Sequence, residues 1–522
     1  MWRDRLAALW LLVTAGVCGA VVMDVELLGA RLLSPGYGAS QVVWAVMISV
    51  TLLSLTVGYF VGGFLADRRP RPGLLYGILL VAAALLAACP HVLPMVLRAC
   101  RTALGIKGGA LVSSLAVFFL PLSLLGVTSP FVIRLISERG RGVGTTAGGV
   151  YAISTIGSVA GTLAAGLYLI EAYGAPVGLQ IAAVVGGATA AVGLVTALGW
   201  RYGLAVVLPV ALACVPAPGL RAGDRYLAPN KQMTEVKDVR DSLYGHIVVL
   251  EQGDHRLLVV NGIVQTGVAK RVQRLGKAEH LLDPYFQELL PYTMREAPAK
   301  NALLIGVAGG LTATILRKHG LAVECVDLDP EMFEVARRWF FFEGEGIVAD
   351  GRQFLEEAAG REARYDFCVI DTYSGDCFPF YMASVEAFRA ARDVLKRDGV
   401  LAINFIGSPT GRPFACVHKT LGQVFPHVLA LQGESSDDVQ TITLFASDRE
   451  IDFQNDWLGD LGDFTGEDEV WDLIDELTVT PERDDGIVLT DAHNPIDFMR
   501  SDEAVRWRER TATERIGERA LF

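Results

Sequence analysis

The sequence predicts two halves of different class: a multi-pass α-helical membrane bundle, then an α/β Rossmann-like domain preceded by a small β-subdomain. Three observations carry this. The chain has 522 residues, 52% hydrophobic and only 20% charged, with a mean hydropathy of +0.37. Ordinary soluble domains carry about 25% charged residues. The charge is also split: residues 1–220 have a net charge of +7 and residues 221–522 of −19. Finally, a glycine turn followed 21 residues later by a strand-end acid, Gly306 to Asp327, lies in the acidic half. This pattern excludes a wholly soluble enzyme and a disordered chain. The acidic half also excludes a nucleic-acid binder driven by phosphate contacts.

The membrane half occupies residues 1–218. Six apolar stretches reach the ~20 residues that a hydrocarbon core requires, near 8–29, 42–65, 74–97, 109–133, 146–170 and 175–199. Five spans following the first argue against a signal peptide. A seventh stretch, Tyr202–Gly219, is short and carries Pro209, Pro216 and Pro218, so six and seven spans both stay open. Basic clusters at Asp67-Arg68-Arg69-Pro70-Arg71 and at Arg134, Arg139 and Arg141 place those loops and the N-terminus inside by the positive-inside rule. Six spans then put the second half in the cytoplasm, and seven put it outside. Asp24 and Glu26 interrupt the first span; they either mark a polar path or sit near the interface and pair with Arg31. Gly157 and Gly161 give a small-residue face for close helix packing.

Residues 219–280 read as a polar linker and a β-subdomain. Tyr244–Glu251 and Arg256–Val260 are β-rich runs around a turn at Gln252-Gly253-Asp254-His255, and Asn261-Gly262 supplies a second turn before Ile263–Thr266.

Residues 281–522 hold the main domain. A helix over Leu282–Met294 precedes the strand Asn301–Gly306, the turn Gly306–Gly310, a helix over Leu311–His319 and the strand Ala322–Val326 ending at Asp327. This is a nucleoside-binding βαβ unit, in which glycines let the backbone approach the ligand and the acid binds two ribose hydroxyls. The alternation continues: a helix Pro330–Phe340, a strand over 346–349 ending at Asp350-Gly351, a helix from Gln353, the strand Tyr365–Ile370 ending at Asp371, a helix Ser384–Leu395, and a strand Gly399–Phe405. Asp327, Asp350 and Asp371 therefore line one carboxyl edge. The acid-rich Asp452–Asp485 reads as a peripheral insertion or cover with a solvated face. The eight cysteines show no CxxC pair and no zinc spacing with histidine; they read as small buried hydrophobes.

Taken together these residues resemble the spermidine synthase (aminopropyltransferase) family, in its bacterial form fused behind a multi-pass membrane domain. The resemblance rests in the first half on Glu26…Ala30-Arg31-Leu32-Leu33 and on Gly58…Gly62-Gly63-Phe64-Leu65-Ala66-Asp67-Arg68. In the second half it rests on Ser242-x-Tyr244, Asn261–Thr266, the glycine turn, Ala349-Asp350-Gly351, Tyr365-Asp366…Asp371 and Leu489-Thr490-Asp491…Asn494-Pro495. It implies an S-adenosylmethionine-type Rossmann fold and aminopropyl transfer to a small amine, in polyamine biosynthesis. The co-substrate is decarboxylated S-adenosylmethionine or S-adenosylmethionine, with no permanently bound cofactor and no metal. By resemblance Gln265, Gly306, Gly310, Asp327, Asp350 and Gly351 bind the donor, with Asp327 on the ribose hydroxyls and Asp350 on the adenine amino group. Asp371 and Tyr373 are the catalytic candidates, and Tyr285 and Gln287 bind the acceptor. Partners are the lipid bilayer and the amine; a homodimer is allowed, nucleic acid is not. Localisation is the bacterial inner membrane with a cytoplasmic second half, since adenosyl donors are cytosolic.

The chain departs from the family at three places. Gly309 stands where the family's polyamine-binding acid belongs, Tyr285-Phe286-Gln287 replaces its Tyr-His/Gln-Glu run, and Gly245 replaces a glutamine. A buried ammonium without a counter-charge is costly, so the acceptor need not be a standard polyamine. Three alternatives follow: a degenerate ligand-binding or regulatory module, an S-adenosylmethionine-dependent methyltransferase, and transport by the helical half.

Overall fold

The computed structural model describes residues 2–38, 41–138, 142–216, 219–269, 299–318, 320–360, 365–373, 375, 378–433, 438–451, 474–511 and 516–517. Tyr285, Gln287 and the helix expected over Leu282–Met294 lie outside the described residues. The chain divides into two units, Met1–Leu220 with Arg240–Leu243 and Phe522, and Arg221–Val239 with Tyr244–Leu521.

The first unit is helical: Trp2–Tyr37, Gln41–Arg68, Pro72–Gly126 broken at Gly105, Thr128–Ser137, Val143–Ala164, and Ile170–Leu198 broken at Gly174. A π turn, Ala165–Leu169, joins the last two. Five helical segments among the described residues are long and apolar enough to cross a bilayer. The last of these, Val143–Leu198, has 56 residues, far more than one crossing needs. It is broken at Gly174, whose φ of 74° and ψ of 165° are non-helical, so its two arms fall on the fifth and sixth stretches read from the sequence. The seventh stretch is a short 3₁₀ and α helix, Trp200–Val206 and Val207–Cys214. Gly157 and Gly161 pack on the first helix; a Cβ at Gly157 would fall inside the contact distance of the Gly16 carbonyl, and one at Gly161 would stand 2.5 Å from that of Ala20. Large apolar side chains such as Phe60, Ile156 and Leu167 stand exposed on this unit, a surface that water disfavours. Asp24 is buried, and its Oδ1 has no hydrogen-bond partner.

The second unit opens with a five-stranded sheet in sequence order: β1 (Arg225–Leu227), β2 (Met233–Asp241), β3 (His246–Gln252), β4 (His255–Val260) and β5 (Ile263–Ala269). Two-residue turns close both hairpins, Gly253-Asp254 between Gln252 and His255 and Asn261-Gly262 between Val260 and Ile263. Asn261 and Gly262 both have positive φ, the geometry that matches the twist of the flanking strands. β1 falls inside what the sequence reads as linker.

The second sheet has seven strands: β6 (Asn301–Ile305), β7 (Ala322–Asp327), β8 (Ile347–Val348), β9 (Tyr365–Ile370), β10 (Leu395–Gly407), β11 (His427–Gln432) and β12 (Gln440–Ser447). Their order is β11-β12-β10-β9-β6-β7-β8. The β8-β7-β6-β9-β10 part is parallel, and β12 runs antiparallel to β10 and β11. All six residues of β9 are buried, as a central strand covered on both faces requires. Helices Leu311–Lys318, Pro330–Phe340, Gly351–Gly360 and Val385–Val394 supply the crossovers. Asp329 and Ser384 cap two of them by accepting from Glu331 N and Ala387 N. The chain leaves β6 toward β7 on one side and reaches β9 on the other, so the switch point lies between β6 and β9.

The sequence reading assigns nothing between Phe405 and Asp452. The structure adds there a helix, Arg412–Leu421, with β11 and β12. Of the acidic segment read as peripheral, residues 452–473 lie outside the description, but Ile474 and Leu477 are core residues and Val479 donates to the Ala430 carbonyl. That part belongs to the fold, while Asp475 and Glu476 are exposed. Of the cysteines, Cys18, Cys89, Cys325, Cys368 and Cys416 are buried and free.

Asp366 ties β9 to the start of β6. Its Oδ2 accepts from Lys300 N at 2.8 Å and Asn301 N at 2.9 Å, and its Oδ1 from Lys396 Nζ at 2.8 Å. Burial opposes its ionisation, but the Lys396 ammonium and the two backbone N–H groups outweigh burial and hold the carboxyl below its usual value. Asp366→Ala is expected to cost about 2–4 kcal/mol in denaturant unfolding, from a lost charge-assisted pair and two orphaned donors. The carboxylate's contribution is present above about pH 4 and disappears as pH falls through the depressed value.

Candidate active site

The carboxyl ends of β6, β7, β8 and β9 open into a cleft of about 490 Å³. The glycine turn forms its floor. Gly306 has a φ of 89°, and a Cβ there would collide with the Asp371 carbonyl; Gly310 has a φ of 73°, and a Cβ there would stand 2.4 Å from Phe342 Cδ2. Both positions therefore exclude a side chain, for conformation and for space. The turn is fastened to β7: Val307 N donates to Asp327 Oδ2 at 2.8 Å, while Asp329 N donates to Oδ1 at 2.9 Å. Each Asp327 oxygen keeps a further lone pair. Burial pushes the Asp327 carboxyl up to about 6, with those backbone donors opposing the rise.

Asp350 ends the loop after β8 and caps the next helix. Its Oδ1 accepts from Arg352 N at 2.9 Å and Gln353 N at 3.0 Å, and its Oδ2 from the Tyr381 hydroxyl at 3.1 Å. Gly351 packs on Ile305, whose Cγ2 lies 2.4 Å from where a Cβ would be. The Leu489-Thr490-Asp491…Asn494 motif acts one step back. Asp491 Oδ1 accepts from Ser384 Oγ, and Asn494 Nδ2 donates to the Phe380 and Ala383 carbonyls. These bonds fix the loop that carries Tyr381.

Asp371 follows β9, its N–H donating to the Ile305 carbonyl and its Oδ1 accepting from Asn404 Nδ2 at 2.8 Å. Tyr373 accepts from Ile406 N at 2.7 Å, and its ring meets Phe378 edge-on and the Arg500 guanidinium. Gln265, on β5, donates to the Gly375 carbonyl at 2.9 Å. Gln265, Gly306, Asp327, Asp350, Gly351, Asp371 and Tyr373 thus line one cleft; Gly310 supports the turn from behind.

No family model matches the chain. It is 30% identical over 136 residues to the N-terminal histidine N-methyltransferase of Emericella nidulans, covering 25% of this chain and 24% of that protein. It is 26% identical over 176 residues to the polyamine aminopropyltransferase of Vibrio vulnificus, covering 31% and 56%. The chain thus spans between about a quarter and just over half the length of these relatives. Among solved structures, spermidine synthase from Thermotoga maritima matches 48% of this chain and 87% of its own at 20% identity and a TM-score of 0.36. The second unit is Rossmann-like in its parallel sheet order and crossover helices. Relatives of both activities are present.

Several cleft residues escape the sequence reading. Asn404 orients Asp371, and its signal is legible afterwards: one amide inside the apolar run Leu401–Ile406. Tyr381, Trp507 and Arg510 also line the cleft, without a local signature. At the departure from the family, Gly309 N donates to Thr266 Oγ1 at 3.1 Å, and a Cβ at 309 would stand 2.7 Å from Thr266 Cγ2. Restoring the acid is therefore not neutral: Gly309→Asp is expected to lower stability by about 1–3 kcal/mol through overpacking, measured as a shift in the unfolding midpoint.

Proposed function

We propose that the second unit is a sulfonium-nucleoside-dependent transferase acting on an amine, and that the apolar helices anchor it in a bilayer. Aminopropyl transfer from decarboxylated S-adenosylmethionine is the favoured reaction. The observation that carries the reading is the convergence of three acids, Asp327, Asp350 and Asp371, in one cleft with a turn whose Gly306 and Gly310 leave no room for a side chain. In this reading Asp327 accepts from the two ribose hydroxyls and Asp350 from the adenine amino group through the oxygen that faces Tyr381. Gln265, held by the Gly375 carbonyl, is placed against the donor.

Asp371 takes a proton from the acceptor ammonium, freeing the nitrogen lone pair. That nitrogen bonds to the propyl carbon attached to sulfur, and the carbon–sulfur bond breaks with its electron pair going to sulfur. The products are methylthioadenosine and the extended amine. Asn404 fixes the direction of the Asp371 carboxylate, which supports near-attack alignment.

Methyl transfer is the second reading, favoured by Gly309 in place of the polyamine-binding acid and by the methyltransferase among the relatives. Exposed Phe60, Ile156 and Leu167 support the bilayer anchor. A cytosolic donor supports a cytoplasmic second unit. Calorimetric titration of the detergent-solubilised chain with both donors and with methylthioadenosine, followed by product analysis, tests the reading. Methylthioadenosine as product selects aminopropyl transfer, and S-adenosylhomocysteine selects methyl transfer. Binding of neither donor would reject both and leave a regulatory module or the helical unit as the place of function.

A further inference from the structure

We infer that the acceptor end of this cleft is built for an aminocarboxylate, an amine whose chain carries a carboxylate, in preference to a diamine. The inference deepens the transferase reading of the same site and rests on it. Its basis is the hydrogen-bond polarity of two walls. On the β9–β10 wall, Asn404 Nδ2 donates to Asp371 Oδ1 at 2.8 Å, which fixes the amide's orientation and leaves its Oδ1 as an acceptor. Asn404 is 6% exposed and its Oδ1 has no hydrogen-bond partner. Asp371 and Asn404 therefore offer acceptor atoms, suited to the N–H groups of an amine.

The helix Ser501–Arg510 presents the opposite polarity. Trp507 Nε1, buried and without a partner, can only donate. Arg510 lines the same cleft, its guanidinium 5.8 Å from the Trp507 ring centroid, and it too can only donate. A second ammonium placed here would meet a cation and a donor with no lone pair to offer, which discriminates against a diamine. A carboxylate would accept from both. Buried polar atoms left unpaired are costly, so an occupant that pairs Asn404 Oδ1 and Trp507 Nε1 together gains at both ends. The position nearest the glycine turn does not restore cation binding either, because Thr266 packs where a side chain at Gly309 would begin.

The test uses the full chain in detergent and three probes of similar length: 4-aminobutyrate, 1,4-diaminobutane and butylamine. Each is titrated calorimetrically with and without saturating methylthioadenosine. The expected result is 4-aminobutyrate binding at least about tenfold more tightly than the diamine, with butylamine between them. Arg510→Gln and Trp507→Phe should each shrink that preference several-fold, while nucleoside affinity stays within about twofold of the unaltered chain. A diamine that binds as tightly as 4-aminobutyrate, or a preference unchanged in both variants, would overturn the inference. Failure of methylthioadenosine to bind would instead reject the transferase reading, and the acceptor preference would still be read from the titrations without it.

Discussion

Asp371→Asn is expected to bind the nucleoside as the unaltered chain does and to lose about 10²–10⁴-fold in single-turnover rate, the range for removal of a general base. The substitution is nearly isosteric. Its amide oxygen can still accept from Asn404 Nδ2, whose 2.8 Å bond now orients the carboxylate, so folding and cleft geometry are retained. The loss is confined to the proton that the amine must shed. A rate within about threefold of the unaltered chain would show that Asp371 only orients the acceptor electrostatically.

Asp327→Ala should act on binding. Two charge-assisted hydrogen bonds to vicinal hydroxyls are worth about 1.5–3 kcal/mol each, so the expected loss of nucleoside affinity is roughly 10²–10⁴-fold. A dependence on pH accompanies it. Burial places the Asp327 carboxyl at about 6, and only its ionised form can accept from both hydroxyls. Affinity should be flat above about pH 7 and fall by up to tenfold per unit below about pH 6. In Asp327→Asn that slope should vanish. Stability carries the opposite sign. A raised carboxyl value means that the folded state disfavours the charge, so this group favours folding below about pH 4 and its contribution is lost as pH rises through 6. Calorimetric titration from pH 5 to 8 would separate the two effects, and an affinity independent of pH would place the ribose elsewhere.

What could be read in advance follows from how strongly local sequence dictates structure. β9 is six consecutive buried residues, β6 is followed by a glycine that tolerates no side chain, and Pro330–Phe340 starts with a proline behind a capping aspartate. Such signals are local, and the strand-end acids follow directly from them. β2, by contrast, reads Met-Thr-Glu-Val-Lys-Asp-Val-Arg-Asp, with charged residues spread along a half-buried strand. Its pairing partners, not its own pattern, decide that it is a strand. The helix Ser501–Arg510 is harder still. Its ten residues include three arginines, two glutamates and an aspartate, a composition that suggests a solvated surface. Yet Glu503 and Arg508 are buried, and burial has pushed the Glu503 carboxyl up to about 7. Asn404 was hidden for a related reason, since its partner is 33 residues away. Glycine turns and apolar runs announce themselves, whereas polar groups satisfied across long sequence separations do not.

One of those long ties bears on how the molecule is made. Arg508 donates from full burial to the carbonyl of Asn261, the first residue of the β4–β5 turn, across 247 residues of sequence at 2.6 Å. At about 5–20 residues per second of translation, the ribosome needs roughly 12–50 s after releasing that turn to supply the arginine. During that interval the β5 side of the cleft exists without the wall that carries Trp507. Apolar surface destined for it stays open to chaperones or to neighbouring nascent chains. The cleft therefore gains its last wall late in biosynthesis, only after residue 508 has been supplied.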